Sequence, residues 1–230
     1  MDYLALITEK LEPFREYGEL EVDSNCTWIC QNIYSDRTSW CHRIYKYMDR
    51  NEINKLEIEI KKNVHESYKI FLLQINGIEI FHSSINLFGN DIDYNNGKRI
   101  SYAPFSLLDA NEYRFNFGER PIQLSDDVLV IGGYGNDGSK IGILGSNGKV
   151  VRYNGDTLEL YNEWSSFEEF FVSEFERISE MFDTNGIKKD SDIPTTPMRT
   201  IEKSTINLVR TDDYTFYKKP VRVKSKRDEW

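Results

Sequence analysis

The sequence has little of what marks an enzyme, a secreted protein or a membrane protein. Its 230 residues include only three cysteines and three histidines. An odd set of thiols (Cys26, Cys30, Cys41) cannot pair off completely and suits a reducing compartment. No stretch of about 18 apolar residues occurs, so no bilayer-spanning helix is predicted. The opening MDYLALITEKLEPF places Asp2 and Glu9 where a secretory signal would carry basic and then continuous apolar residues. The expectation is a cytoplasmic protein that makes no membrane contact. There is no GxSxG elbow, no Cys or Ser with a local base, and no carboxylate pair set apart as an acid/base couple. No catalytic residue, no cofactor and no metal site is therefore predicted, and the protein is read as a non-enzyme. No internal repeat is visible.

The net charge of −9 is unevenly spread. Residues 184–230 hold eleven Lys/Arg against seven Asp/Glu, a balance of +4, which leaves −13 on the remainder. An acidic body repels phosphate backbones and steers basic proteins toward itself, so nucleic acid is not an expected partner and a protein is.

Local patterns divide the chain into an extension (1–50), a main domain (51–182) and a polar, basic tail (183–230). In the extension, Leu4, Ile7, Leu11 and Phe14 recur at near-helical spacing, interrupted by Pro13. Trp28, Ile29, Trp40, Ile44, Tyr47 and Met48 read as buried anchors that pack this part on the body. In the main domain, Asn51 is placed to cap a helix carrying Ile53, Leu56 and Ile60. A second stripe of Tyr68, Phe71, Leu72 and Ile75 predicts a helix closed by Asn76-Gly77. Extended runs follow at 78–81 and 85–88, then a loop-rich stretch with a turn at Asn95-Asn96-Gly97.

Strands are predicted at 128–131, 140–144, 149–153 and 158–161, with Asn147-Gly148 as a two-residue hairpin turn. Ser165 or Ser166, with Glu168 or Glu169 three residues on, predicts the start of a closing helix whose apolar face is Phe167, Phe170, Phe171, Phe175 and Ile178. The fold class is α+β: N-terminal helices, a mostly antiparallel β-meander sheet and a C-terminal helix. In the tail, Ile206–Val209 and Tyr214–Phe216 suggest a hairpin around Thr211, before an end rich in Lys and Arg.

Several motifs resemble chemical sites and are read otherwise. Gly133-Tyr-Gly135-Asn-Asp-Gly138 spells GxGxxG, but a strand follows it where a dinucleotide site needs a helix, so it reads as hairpin glycines. Asp91-Ile-Asp93-Tyr-Asn95 begins like a calcium loop, yet its glycine comes late at Gly97 and the twelfth position is Tyr102. Cys26, Cys30, Cys41 and His42 are irregularly spaced for zinc and read as buried thiols.

Taken in order, these signals resemble the SUKH superfamily, the Smi/Knr type. The resemblance rests on Asn51-Glu-Ile53 with Leu56-Glu57, Tyr68-Lys-Ile-Phe71-Leu72, Asn76-Gly77 and Phe88-Gly89. It continues through Val130-Ile-Gly132-Gly133-Tyr-Gly135-Asn136 and Ser166–Phe170. Val64-His65 stands where the family has Leu-Pro, and the flanks lie outside the match. The resemblance marks Asn76, Gly77, Gly132, Gly133 and Phe167 as structural positions. It implies an immunity protein that neutralises a cognate toxin, often a nuclease. The alternative it implies is a cytoplasmic adaptor of the cell-wall-assembly regulator type, binding endogenous proteins. The expected partner contacts lie in loops beside these motifs: Asp91, Asp93, Tyr94, Asp109, Glu112, Tyr134, Asn136 and Asp137.

Overall fold

The computed structural model describes residues 1–201 apart from 23–24, 33–38, 96 and 113–119, together with 206, 208 and 209. Its centre is a 9-stranded sheet whose neighbouring strands run in the order Glu19–Val22, Cys26–Asn32, Ser39–Lys46, Ile75–Ile80, Ile85–Leu87, Val128–Gly133, Lys140–Leu144, Val150–Tyr153 and Leu160–Trp164. All of the paired strands are antiparallel, so the α+β meander is present and larger than the sequence indicated.

The chain begins with α1 (Tyr3–Leu11), capped by Asp2, whose carboxylate accepts the Ala5 N–H at 2.9 Å. Tyr3, Ile7 and Leu11 face inward, as does Phe14 in the 3-10 turn that follows, while Leu4 is 45% exposed. The chain then forms β1 (Glu19–Val22), β2 (Cys26–Asn32) and β3 (Ser39–Lys46), which extend the main sheet edge to edge. Ile29 and Met48 are buried, but Tyr47 is 58% exposed and Trp28 and Trp40 are half-buried, so these three are not core anchors.

α2 (Arg50–Ile60) starts two residues earlier than the Asn51 cap predicts. Asp49 caps it: its carboxylate accepts the Glu52 N–H at 2.9 Å, and Glu52 returns a carboxylate oxygen to the Asp49 N–H at 2.8 Å. Two orphan donors are satisfied at once by residues three apart, an arrangement Asn51 cannot match.

α3 (Glu66–Leu72) is shorter than its stripe predicts. Ile75 and Asn76-Gly77 belong to β4 (Ile75–Ile80), where Ile75 pairs with Lys46. Gln74, between the two, takes the Tyr3 N–H at 2.7 Å and so closes the start of α1. A long-range cap and a strand partner outweigh one further helical turn. The positive φ of Gly77 serves close approach inside a strand, since a Cβ there would lie 2.8 Å from Leu87 O and from Pro104 Cβ.

A turn of three left-handed residues, Phe81, His82 and Ser83, leads into β5 (Ile85–Leu87). The excursion that follows β5 holds β6 (Ile92–Asp93) paired with β7 (Lys98–Arg99), and α4 (Leu107–Asn111).

β8 (Val128–Gly133), β9 (Lys140–Leu144), β10 (Val150–Tyr153) and β11 (Leu160–Trp164) complete the sheet. Their turns recur every ten residues with one hydrogen-bond pattern. Tyr134, Leu144 and Asn154 each donate N–H to Ser139, Lys149 and Glu159, and each accepts N–H from Gly138, Gly148 and Leu158. That last residue is left-handed in all three turns, at φ 70, 72 and 60. Asp137, Asn147 and Thr157 each accept the N–H two residues on. The Asn147-Gly148 turn is thus a longer loop with glycine at its last position. Tyr134–Ser139 is one of these hairpins, so the GxGxxG sequence is turn geometry.

α5 (Phe167–Ser179) closes the domain. Ser166 caps it through Glu169 N–H at 3.1 Å, while the Glu169 carboxylate reaches one residue further back to Ser165 N–H at 2.8 Å. Phe167 is fully buried and meets Tyr3, Tyr68 and Phe71 at centroid distances of 5.6, 5.1 and 5.5 Å, joining α1, α3 and α5 into one aromatic layer. Tyr68 crosses from that layer to the sheet, donating its hydroxyl to Phe88 O at 2.6 Å.

The chain beyond α5 returns to the sheet. Gly186 lies over Cys30 and Cys41, Thr200 and Ile201 donate N–H to Tyr161 O, and Val209 bridges to Leu124. The expected hairpin around Thr211 and the Lys/Arg-rich end lie outside the described residues.

Candidate protein-binding surface

The eight expected contact residues fall at opposite ends of β5. Asp91, Asp93, Tyr94, Asp109 and Glu112 follow its end, beyond Asn90. Tyr134, Asn136 and Asp137 lie by its start, where Gly135 donates N–H to Ser83 O. The eight therefore fall into two groups.

In the first set, Arg99 bridges two carboxylates, pairing with Asp91 and, at 2.9 Å, with Asp109. Those two acids, Asp109 foremost through its hydrogen bond, raise the Arg99 pKa further. Asp91 is only 4% exposed, so its role is to hold the β6–β7 hairpin rather than to meet a partner. Asp93 Oδ1 takes the Asn95 N–H at 2.8 Å. Tyr94 donates to Glu59 at 3.3 Å and lies under Lys55, 5.3 Å from its ring. Burial first, and then the Glu59 charge, push the Tyr94 hydroxyl pKa up. Glu112 caps the end of α4.

In the second set, Tyr134 is 2% exposed, which corrects its place among surface contacts. Its hydroxyl donates to Glu174 at 2.7 Å and its ring lies 5.2 Å from the Arg152 guanidinium. Asn136 and Asp137 are exposed at the turn. Asp137 is tied inward to Arg152 at 2.5 Å and to the Ser139 hydroxyl at 2.7 Å. Burial pushes its carboxyl up, but Ser139 and Arg152 outweigh that and hold it below the usual carboxylate range. Arg152, itself buried, also donates to Ser139, Asn162 and Pro197 O and so pins the chain beyond α5 to β10 and β11.

The structure reveals a surface that the sequence reading placed in the core. Trp28 and Trp40 lie 5.9 Å apart on neighbouring strands, and Tyr102, 54% exposed, meets Trp28 edge-on at 5.4 Å. Arg43 covers the Trp28 ring at 5.3 Å and pairs with the buried Glu79 at 3.1 Å. Beside Tyr102 run two shallow clefts, one lined by Tyr47 and Glu52 and the other by Asp91, Arg99, Phe105 and Asp109. They share Ile100, Ala103 and Pro104, so the cleft that Tyr102 lines adjoins the one with the acidic rim. Tyr47 and Phe105 are 58% and 50% exposed. Trp, Tyr and Arg are the side chains that most often dominate protein interfaces, and contiguous exposed aromatics mark them.

Among the described residues no group of three His, Cys, Asp or Glu is placed to hold a metal ion. Cys30 and Cys41 are neighbours, whereas Cys26 lies with Tyr45 and Glu79, and His42 is packed between Phe14 and Phe81. Among those residues, no helix is long and apolar enough to cross a membrane.

A broad antiparallel sheet covered by an aromatic helical layer defines an α+β protein, and the strip of Trp28, Trp40 and Tyr102 lies at its surface. The model of the SMI1 / KNR4 family (SUKH-1) matches residues 48–173, and the chain belongs to that family. No curated protein matches the sequence. The match covers α2 through most of α5 and leaves β1, β2 and β3 outside it, so the strip joins strands beyond the family segment to a loop within it.

Proposed function

We propose that the protein is a cytoplasmic immunity protein that binds a protein toxin and occludes it stoichiometrically, without a cofactor. The observation that carries this reading is the strip Trp28–Trp40–Tyr102 beside the acid-rimmed Arg99 loop. Aromatic anchors supply affinity when they are desolvated, and an acidic body speeds encounter with a basic, nuclease-type partner. The balance of −13 outside residues 184–230 favours such a partner. Membership of the SUKH-1 family supports a protein-binding role.

The test is co-expression with each candidate toxin encoded beside this gene, followed by purification. Rescue of growth and a co-eluting complex of equal stoichiometry are expected. Persistent toxicity with no complex would overturn the reading, and an intact complex with an endogenous protein would favour the regulatory adaptor.

A further inference from the structure

Two of the three thiols stand face to face. The β2–β3 register pairs Ile29 with His42 and Gln31 with Trp40, which sets Cys30 opposite Cys41. Directly opposed residues of an antiparallel pair have Cα atoms about 4.5–5.5 Å apart, inside the range a disulfide requires. Cys30 also breaks the regularity of its strand: its φ is 62, and its N–H leaves the ladder for Gly18 O at 2.9 Å.

Both sulfurs converge on one point of the chain that follows α5. A Cβ built on Gly186 would lie 2.9 Å from Cys41 Sγ and 3.0 Å from Cys30 Sγ. The turn carrying Gly186 is held by His82, whose Nε2 lies 3.0 Å from Gly186 O. On its outer side this turn lines an open cleft of about 620 Å³ with Phe81, His82, Phe182 and Lys188. The thiols are buried, and Gly186 both lines that cleft and lies against them.

From this juxtaposition we propose that Cys30 and Cys41 form a redox-active dithiol, a modification site that closes to an intramolecular disulfide when a peroxide enters through the cleft. The Cys30 sulfur attacks the peroxide, an S–O bond forms as the O–O bond breaks, and water leaves. The Cys41 sulfur then displaces the sulfenic oxygen, forming S–S and releasing a second water that carries the remaining thiol proton. Two thiols are oxidised by two electrons, and one peroxide is reduced. Both sulfurs lie against Gly186, so the one that has not met the peroxide is in place to displace the oxygen from the other, and exchanging the two roles gives the same disulfide.

The test treats the folded protein with hydrogen peroxide, then blocks free thiols and maps peptides without reduction. The expected product has lost two hydrogens, links peptide 30 to peptide 41, leaves Cys26 free, and reverts with dithiothreitol. Cys26→Ser should close normally, and Cys30→Ser should not close. Thiols that stay reduced in the native protein while the denatured chain oxidises would overturn the proposal. So would a link to Cys26, or separate oxidation of the two sulfurs. The wild-type map alone decides the outcome if Cys30→Ser fails to fold.

Discussion

Asn76 and Asn90 clasp each other at the start of β4. The Asn76 amide nitrogen donates to Asn90 O at 2.9 Å, and its carbonyl oxygen accepts the Asn90 N–H at 2.6 Å. Asn76 is 8% exposed and Asn90 2% exposed, so both bonds are made away from water. Gly89 lies against the clasp, and a Cβ there would sit 2.1 Å from Asn76 O and 2.4 Å from Asn76 Oδ1.

Asn76→Ala strands a buried donor and acceptor, at about 1–3 kcal/mol each. Gly89→Ala displaces the clasp by collision with a backbone carbonyl. Both variants are expected to lower the urea midpoint, and the pair to lose less than the sum of the singles, because they break one feature. Additive losses would show that Gly89 acts independently of Asn76.

Much of the meander and its closing helix was legible because their signals are local. Apolar runs, glycines at turn ends and Ser166 before Phe167 lie within a few residues of what they determine. The α3–β4 boundary was not, because Ile75 satisfies both a helical stripe and a strand; Lys46 and Tyr3, distant in sequence, settle it. The strands of the first fifty residues were hidden because Trp28 and Trp40 are large and apolar yet only half-buried. Within the site, nothing near Asp91 or Tyr134 announces that Arg99 and Arg152 fold onto them. The strip is assembled from positions 28, 40 and 102 and has no linear signature.

Arg152 holds Asp137, Ser139, Asn162 and Pro197 O with one guanidinium, 2% exposed. Arg152→Met is expected to destabilise the fold by on the order of 3 kcal/mol, read by denaturation. The pH dependence has a definite sign. A carboxyl whose folded pKa is depressed contributes stability above its unfolded value, near 3.9, and loses it as pH falls through the folded value. Asp137 is held low. Stability below about pH 4 should therefore fall less steeply in Asp137→Asn than in the wild type. An unchanged acid slope would remove Asp137 from the account.

Tyr102 and Phe105 are exposed by about half, so replacing either with Ser should change stability by no more than ~0.5 kcal/mol. Binding should respond differently. Loss of an interface aromatic costs about 2 kcal/mol, roughly 30-fold in affinity. Asp93→Lys should act mainly on the association rate and its salt dependence, since a rim charge steers more than it anchors. Titration calorimetry and stopped-flow measurements on the toxin complex separate the two effects. Full affinity in Tyr102→Ser would take the strip out of the interface and leave the fold assignment intact.

The repeated turns supply a matched pair of glycines. Gly138 and Gly148 occupy the same left-handed position at φ 70 and 72. A Cβ on Gly138 meets nothing within 4 Å, whereas one on Gly148 would lie 2.6 Å from His65 Cε1. Gly138→Ala should therefore cost only the left-handed penalty, about 1–2 kcal/mol. Gly148→Ala carries the same penalty plus displacement of the imidazole, whose Nδ1 lies 2.8 Å from Ser67 Oγ at the start of α3. His65→Ala in the Gly148→Ala background should bring the penalty of the glycine change back to the Gly138 value, since the obstacle is then gone. Equal losses for the two glycine variants would mean that the His65 ring yields freely and that backbone conformation alone sets the requirement for glycine in this turn.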